Sequence, residues 1–264
     1  MQDLSVTIIQ SSLHWENIVA NLAMFEEKIR GIKNQTDVIV LPEMFTTGFS
    51  MNAKTNAEAM NLQTTKWMKM MADQTGALLL GSFIATENGR FFNRLVWMEP
   101  GGKLYTYDKR HLFRMANEND TYSAGSKRLT SSWKGWNICP LVCYDLRFPV
   151  WSRNQWDKAN GRMKYDILIY VANWPKARVL AWDTLLKARA IENLSYVVGV
   201  NRTGDDGLGI AYNGHSAILG PKGETVYAAD ESEIITTVSL SAGTLSDHRK
   251  KFPAYLDADD FTIS

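Results

Sequence analysis

The stretch Asn137–Pro149 reads N-I-C-P-L-V-C-Y-D-L-R-F-P. Its apolar run, Ile138–Val142, has the character of a buried strand, and it stops at Cys143, where the composition turns polar. A small nucleophile where a buried strand ends, followed by Tyr144, Asp145 and Arg147, is how an α/β enzyme presents a reactive atom. Cys143 is therefore the candidate nucleophile. A lone buried cysteine is more often a small core residue, so the assignment needs partners from elsewhere in the chain.

Upstream, Leu4–Gln10 predicts a strand. Trp15–Lys33 carries Ile18, Leu22, Phe25 and Ile29 at the three- and four-residue spacing of one helical face. Asp37–Leu41 reads as a fully buried strand that Pro42 ends, because proline cannot donate to a ladder, and Glu43 follows at once. Leu62–Thr75 predicts a helix closed by Gly76. Ala77–Phe83 is another buried strand, and Phe91–Met98 with Leu104–Tyr107 reads as a hairpin around Pro100-Gly101-Gly102. Asp108–Gly125 is long, irregular and charged, the kind of loop that is either functional or disordered; its Leu112, Phe113, Met115 and Tyr122 argue for order.

Downstream of Cys143, Val150–Asn154 suggests a short helix. Tyr165–Val171 predicts a strand ending in Ala172-Asn173-Trp174-Pro175, Val179–Asn193 a helix, and Ser195–Val200 a strand closed by Asn201-Arg202. His215–Leu219 and Ile234–Leu240 flank a Pro221-Lys222-Gly223 turn. Helices alternate with buried strands and hairpins come later, which indicates one α/β domain over residues 1–264 with mixed sheets. Open α/β sheets place their sites at the carboxyl ends of strands. Glu43, Lys109, Cys143 and Asn173 share that position.

A thiol attacks only as thiolate and needs a base or a positive neighbour to bring down its free pKa of about 8.5. Glu43 can take the thiol proton and return it to a leaving amine. Lys109, with the Tyr144 backbone N–H, can hold a developing oxyanion. That set would open an amide through a thioester at Cys143, release ammonia, and hydrolyse the thioester with water activated by Glu43. His111 leaves a rival open, a Cys–His pair, since histidine is the commonest general base.

The composition excludes several classes. With 45% hydrophobic and 22% charged residues, and 29 Lys plus Arg against 28 Asp plus Glu, nothing indicates affinity for nucleic acid or an anionic membrane. No apolar run approaches the roughly 18–20 residues of a membrane helix. The beginning, Met1-Gln2-Asp3, lacks the features of a signal peptide, so a cytoplasmic protein is expected. On one strand Cys139 and Cys143 would lie about 13 Å apart, too far for a disulfide. Neither they nor His14, His111, His215 and His248 form a ligand-spaced cluster, so no metal and no other cofactor is expected.

Five pieces in order resemble the nitrilase superfamily of carbon–nitrogen hydrolases: Leu41-Pro42-Glu43, Tyr107–Phe113, Cys143–Pro149, Ala172–Pro175 and Ala188–Asn193, with Gly214-His215-Ser216 as a weaker match. The resemblance implies a four-layer α-β-β-α sandwich and a Glu43–Lys109–Cys143 triad. It also implies a second glutamate, falling on Glu118, that positions Lys109 and the substrate amide, and it makes His111 a residue that orients the loop. It implies a homodimer or larger homo-oligomer joined across sheets.

Glu43–Met51, Pro149–Asn154 and Lys251–Asp259 resemble the ω-amidase branch, which hydrolyses 2-oxoglutaramate and 2-oxosuccinamate and is associated in bacteria with methionine salvage. Such a substrate carries a carboxylate remote from its amide, so a cation is expected in the pocket, in bidentate arginine geometry. Arg147 is the first candidate, with Lys176, Arg178 and Arg202 as alternatives. Phe45, Phe49, Phe113, Asn173 and Trp174 are candidate walls and contacts. Another amidase, carbamoylase or nitrilase would use the same triad, and an inactive binding protein would have lost one of its members; none is lost.

Overall fold

The computed structural model describes residues 1–259 and 261–262. Two large mixed sheets carry it. In the first the strand order is Ile234–Leu240, Leu4–Gln10, Val38–Val40, Leu78–Glu87, Arg90–Met98, Leu104–Asp108, with Glu58–Ala59 added beside Leu78–Glu87. In the second it is Thr225–Ala228, Ala217–Leu219, Tyr196–Asn201, Ile167–Ala172, Trp136–Val142, Ser131–Trp133. The three central strands of each sheet run parallel, and the outer strands run antiparallel to their neighbours, except the short Glu58–Ala59, which is parallel to Leu78–Glu87.

Side-chain alternation assembles the layers. Val38 and Val40 face a core shared with Ile138, Val142, Ile169 and Val198 of the other sheet. Ile39 and Leu41 point the opposite way, into a cluster with Leu22, Phe25 and Ile29 of helix Ile18–Arg30 and Trp67, Met68 and Met71 of helix Gln63–Thr75. Helix Val179–Asn193 covers the second sheet through Trp182, Leu186 and Ala190. It packs so near that a Cβ on Gly199 would meet Leu186 at 2.6 Å, so the strand carries a glycine there. The result is the four-layer α-β-β-α sandwich.

The strand leading to Cys143 spans Trp136–Val142 and contains Pro140, which a central strand should not tolerate. Its neighbour Ser131–Trp133 pairs only with residues 136–138, so among the described residues no ladder exists on that side of Pro140. The turn at Pro221-Lys222-Gly223 joins Ala217–Leu219 to Thr225–Ala228, a short strand absent from the sequence reading, while Ile234–Leu240 crosses to the first sheet. The charged segment after Asp108 is ordered by two single turns, Arg114–Ala116 and Glu118–Thr121. No helix among the described residues is long and apolar enough to cross a membrane.

Candidate active site

Three of the four strand-end residues follow their strands directly: Cys143 after Val142, Asn173 after Ala172 and Lys109 after Asp108. Glu43 comes three residues after Val40. Strand Leu104–Asp108 is antiparallel to Arg90–Met98, itself antiparallel to Leu78–Glu87, so its carboxyl end lies on the same side as the parallel set. The site bridges both sheets: Glu43 and Lys109 come from the first, Cys143 and Asn173 from the second.

Glu43, Lys109 and Glu118 are all but fully buried. The Lys109 ammonium donates to Glu43 Oε1 at 2.9 Å and to both Glu118 oxygens at 3.0 and 2.9 Å. Burial alone would discharge this lysine, but Glu118 and then Glu43 more than offset that and hold its pKa above the ordinary lysine value. Burial, opposed by Lys109 and reinforced by Glu43, raises the pKa of Glu118. The Glu118 Oε2 atom also accepts the Phe113 backbone N–H at 2.6 Å, which ties the lysine loop to its own glutamate.

Cys143 sits at φ +43°, in the left-handed region, at the start of the turn Cys143–Arg147. That conformation costs a non-glycine residue energy and lifts its side chain off the strand end. Its Sγ donates to the Asn173 carbonyl at 3.8 Å, and the Glu43 carboxyl lies close enough to act on it electrostatically. Burial first, and then the charge on Glu43, push its pKa well above the usual thiol value, while Lys109 pulls the other way. The resting group is a neutral thiol beside a base.

Asp145 holds the elbow in place. Buried among polar donors, it accepts from the Val142 backbone N–H at 3.1 Å, the Tyr107 hydroxyl at 2.7 Å and the His111 backbone N–H at 3.1 Å. The His111 ring pairs with it through Nδ1 at 2.7 Å and stacks on Phe148, centroids 3.7 Å apart. His111 is thus engaged by Asp145 and not by Cys143, which removes the geometric basis of the Cys–His alternative. Cys139 and Cys143 are both free thiols, and burial pushes Cys139 up to about 11.

A pocket of about 270 Å³ opens onto Cys143 and Lys109. Phe49, Phe113, Tyr144, Asn173, Trp174 and Arg147 line it, as does Arg178. Arg147 lies over the Trp174 ring, 5.0 Å from its centroid, and Arg178 over Phe113 at 5.1 Å. Met115 (79% exposed) and Leu208 (72% exposed) form an apolar rim. Three candidates lie elsewhere. Phe45 is buried against Phe25 and Trp67 under the helices, because its side chain leaves the opposite face of the strand-end loop. Lys176 is exposed and paired with Glu231. Arg202 is buried behind Tyr212, donating to the Thr203 and Asp205 carbonyls.

Asn173 does more than border the pocket. Its backbone N–H donates to Glu43 Oε2 at 2.8 Å and its amide to the Glu43 carbonyl at 2.6 Å, so it clamps that carboxyl across the sheet interface. Asn93 escaped sequence reading altogether. It donates from Nδ2 to Glu43 Oε1 at 2.7 Å and to Glu118 Oε1 at 3.3 Å. The available signal was a lone amide inside the apolar strand Arg90–Met98.

The carbon–nitrogen hydrolase family pattern matches residues 5–250. The chain belongs to the carbon–nitrogen hydrolase family. This hydrolase is 48% identical to omega-amidase YafV of Escherichia coli (strain K12) over the full length of both chains. It is 29% identical to 2-oxoglutaramate amidase of Bacillus subtilis (strain 168), covering 96% of each. The crystal structure of a CN-hydrolase superfamily protein from Xanthomonas campestris, with an arsenic adduct in its active site, superposes with a TM-score of 0.98 at 44% identity over 100% of both chains.

Proposed function

We propose that the chain, as a single domain, is an ω-amidase that hydrolyses the terminal amide of 2-oxo dicarboxylic acid monoamides, such as 2-oxoglutaramate and 2-oxosuccinamate, to the 2-oxo acid and ammonia. The observation that carries this reading is the buried Glu43–Lys109–Glu118 cluster set against the Cys143 thiol at the floor of a pocket that also holds two arginines. The 48% full-length identity to an omega-amidase supports the substrate class.

In the proposed reaction the thiol is protonated until substrate arrives. Glu43 takes its proton as the sulfur attacks the amide carbonyl. The permanently charged Lys109 ammonium and the Tyr144 backbone N–H stabilise the oxyanion. As the carbon–nitrogen bond breaks, the proton held by Glu43 goes to the leaving nitrogen, and ammonia departs from a Cys143 thioester. Glu43 then deprotonates water, which attacks the thioester, and the proton returns to sulfur as the acid leaves. Glu118 keeps the Lys109 ammonium charged and aimed. Arg147 and Arg178 receive the remote carboxylate, between aromatic walls formed by Phe49, Phe113 and Trp174. No step calls for a cofactor.

The resemblance to the nitrilase superfamily also supports a homodimer or larger homo-oligomer, the composition and opening residues a cytoplasmic setting, and the resemblance to the ω-amidase branch a place in methionine salvage. The apolar rim favours, as a second reading, an amidase for less polar amides. Ammonia release from 2-oxoglutaramate, against a panel of aliphatic amides, carbamoyl compounds and nitriles, separates the two. Negligible turnover of the oxo-amide, with turnover of another class, rejects the first.

A further inference from the structure

Glu43 and Glu118 are two carboxylates in one dry pocket with a single lysine between them, an arrangement that favours protonating one of them. A protonated Glu43 could not accept the thiol proton. Hydrogen-bond donors to a carboxylate favour its charged form, so the donors around the two acids matter. Glu43 receives Lys109, the Asn173 backbone N–H and Asn93; Glu118 receives Lys109 twice, the Phe113 backbone N–H and Asn93. Among the described residues, Asn93 is the one neutral side chain common to both.

A primary amide has two N–H bonds on one nitrogen and no proton to give up. The geometry points to Asn93 as a positioning residue: its NH2 group bridges Glu43 and Glu118 and holds both carboxylates against Lys109, so that Glu43 is aimed at the thiol as its base. Its register holds it there. Asn93 pairs with Ile84 in the sheet, its carbonyl accepts the Lys109 backbone N–H at 3.0 Å, and its Oδ1 has no donor among the described residues. The nitrogen end alone is committed, and it is committed to the two acids.

The other ionisable groups facing the cluster are the Cys143 thiol and the phenols of Tyr122 and Tyr212, with Glu16 acting on Tyr122. Both phenols are held above the ordinary tyrosine value, mainly by burial, and stay neutral where a carboxylate titrates. They cannot replace the bridge. This inference rests on the proposed roles of Glu43 and Cys143.

Three variants test it. Asn93→Leu removes both donors at similar volume, Asn93→Ser retains one shortened donor, and Asn93→Asp puts a third acid in place of the amide. The expected result is a loss of about 10- to 100-fold in kcat for the oxo-amide at neutral pH, the worth of one charge-assisted hydrogen bond, with KM near wild type. The acid limb of the kcat profile moves to higher pH, most in the aspartate variant. The acid limb of Cys143 alkylation by iodoacetamide, followed by mass spectrometry at that residue, moves with it. The alkylation arm does not depend on which amide is the substrate, so a wild-type enzyme that ignores oxo-amides defeats the functional reading and leaves this one to be judged on alkylation. A uniform drop with the acid limbs in place, or wild-type profiles, overturns the role of Asn93. If the leucine variant does not fold, the serine and aspartate variants decide by the same limbs.

Discussion

At Cys143 the chain accepts a left-handed backbone and a buried thiol, and both have a chemical consequence. A sulfur held neutral until substrate enters reacts more slowly with adventitious alkylating and oxidising agents, since the thiolate is the reactive form. Cys143→Ala is expected to reduce ammonia release to background with an unchanged melting temperature; retained turnover would mean that another group attacks. Lys109→Ala should be far more damaging than His111→Ala in kcat/KM, because the lysine holds two carboxylates at the pocket whereas the histidine ring rests on Asp145. Equal losses in the two variants would revive a histidine base. For the arginines, Arg147→Ala and Arg178→Ala should each raise KM for 2-oxoglutaramate about tenfold or more, the worth of a charged hydrogen bond. An uncharged amide of similar length should be indifferent to either change. A loss shared equally by the uncharged amide would show that the guanidiniums only brace the Trp174 and Phe113 rings.

On the scale of single elements, the segment after Asp108 must place Lys109 and Glu118 within 3 Å of each other while running through only two isolated turns. Its return is pinned at Gly125, whose N–H donates to the Lys109 carbonyl at 3.0 Å. A Cβ at that position would lie 2.0 Å from the Asp108 carbonyl oxygen, and backbone cannot step aside as a side chain can. Gly125→Ala should therefore displace Lys109, with kcat falling sharply and a stability cost of about 1–3 kcal/mol. Wild-type kcat would show that the loop absorbs the clash elsewhere. Phe45→Ala tests whether that side chain belongs to the helix-covered core. As a core residue it should cost about 3–5 kcal/mol in denaturant unfolding. A stable variant with altered KM would put Phe45 back in the pocket.

Across the whole molecule, burial has an alkaline consequence. Cys143 and the phenols of Tyr107 and Tyr165 are pushed well above their ordinary values, chiefly by desolvation, and Cys139 rises from 9.0 to about 11. Above pH 9 the unfolded chain releases these protons and the folded chain retains them, so the folded state binds more protons and stability falls as pH rises. Lys109, also raised, acts in the same direction above its unfolded value of 10.5. Melting temperature should decline steadily from pH 9 to pH 11. A flat curve over that interval would mean that the buried groups ionise in place.

The carboxyl-end positions of Glu43, Lys109, Cys143 and Asn173 were legible from apolar runs that stop at polar residues, because a buried strand must exclude polar side chains until it leaves the core. Strand and helix types were readable for the same reason, through alternation at Val38–Val40 and the three- and four-residue spacing at Leu22, Phe25 and Ile29. Pairing was not readable. Asn93 reaches the site because an antiparallel strand begins where its parallel neighbours end, so a residue near its amino end meets their carboxyl ends. Phe45 and Phe49 are four apart on one loop, yet only the folded chain assigns the first to the helix-covered core and the second to the pocket. Arg147, Arg178, Arg202 and Lys176 carry the same charge in sequence. Which of them faces substrate depends on which neighbours bury or pair them. Local pattern determined what each segment would become and which side chains could do chemistry. Only the packing of one sheet against the other decided which of them meet, since the contacts that join them span up to 130 residues of chain.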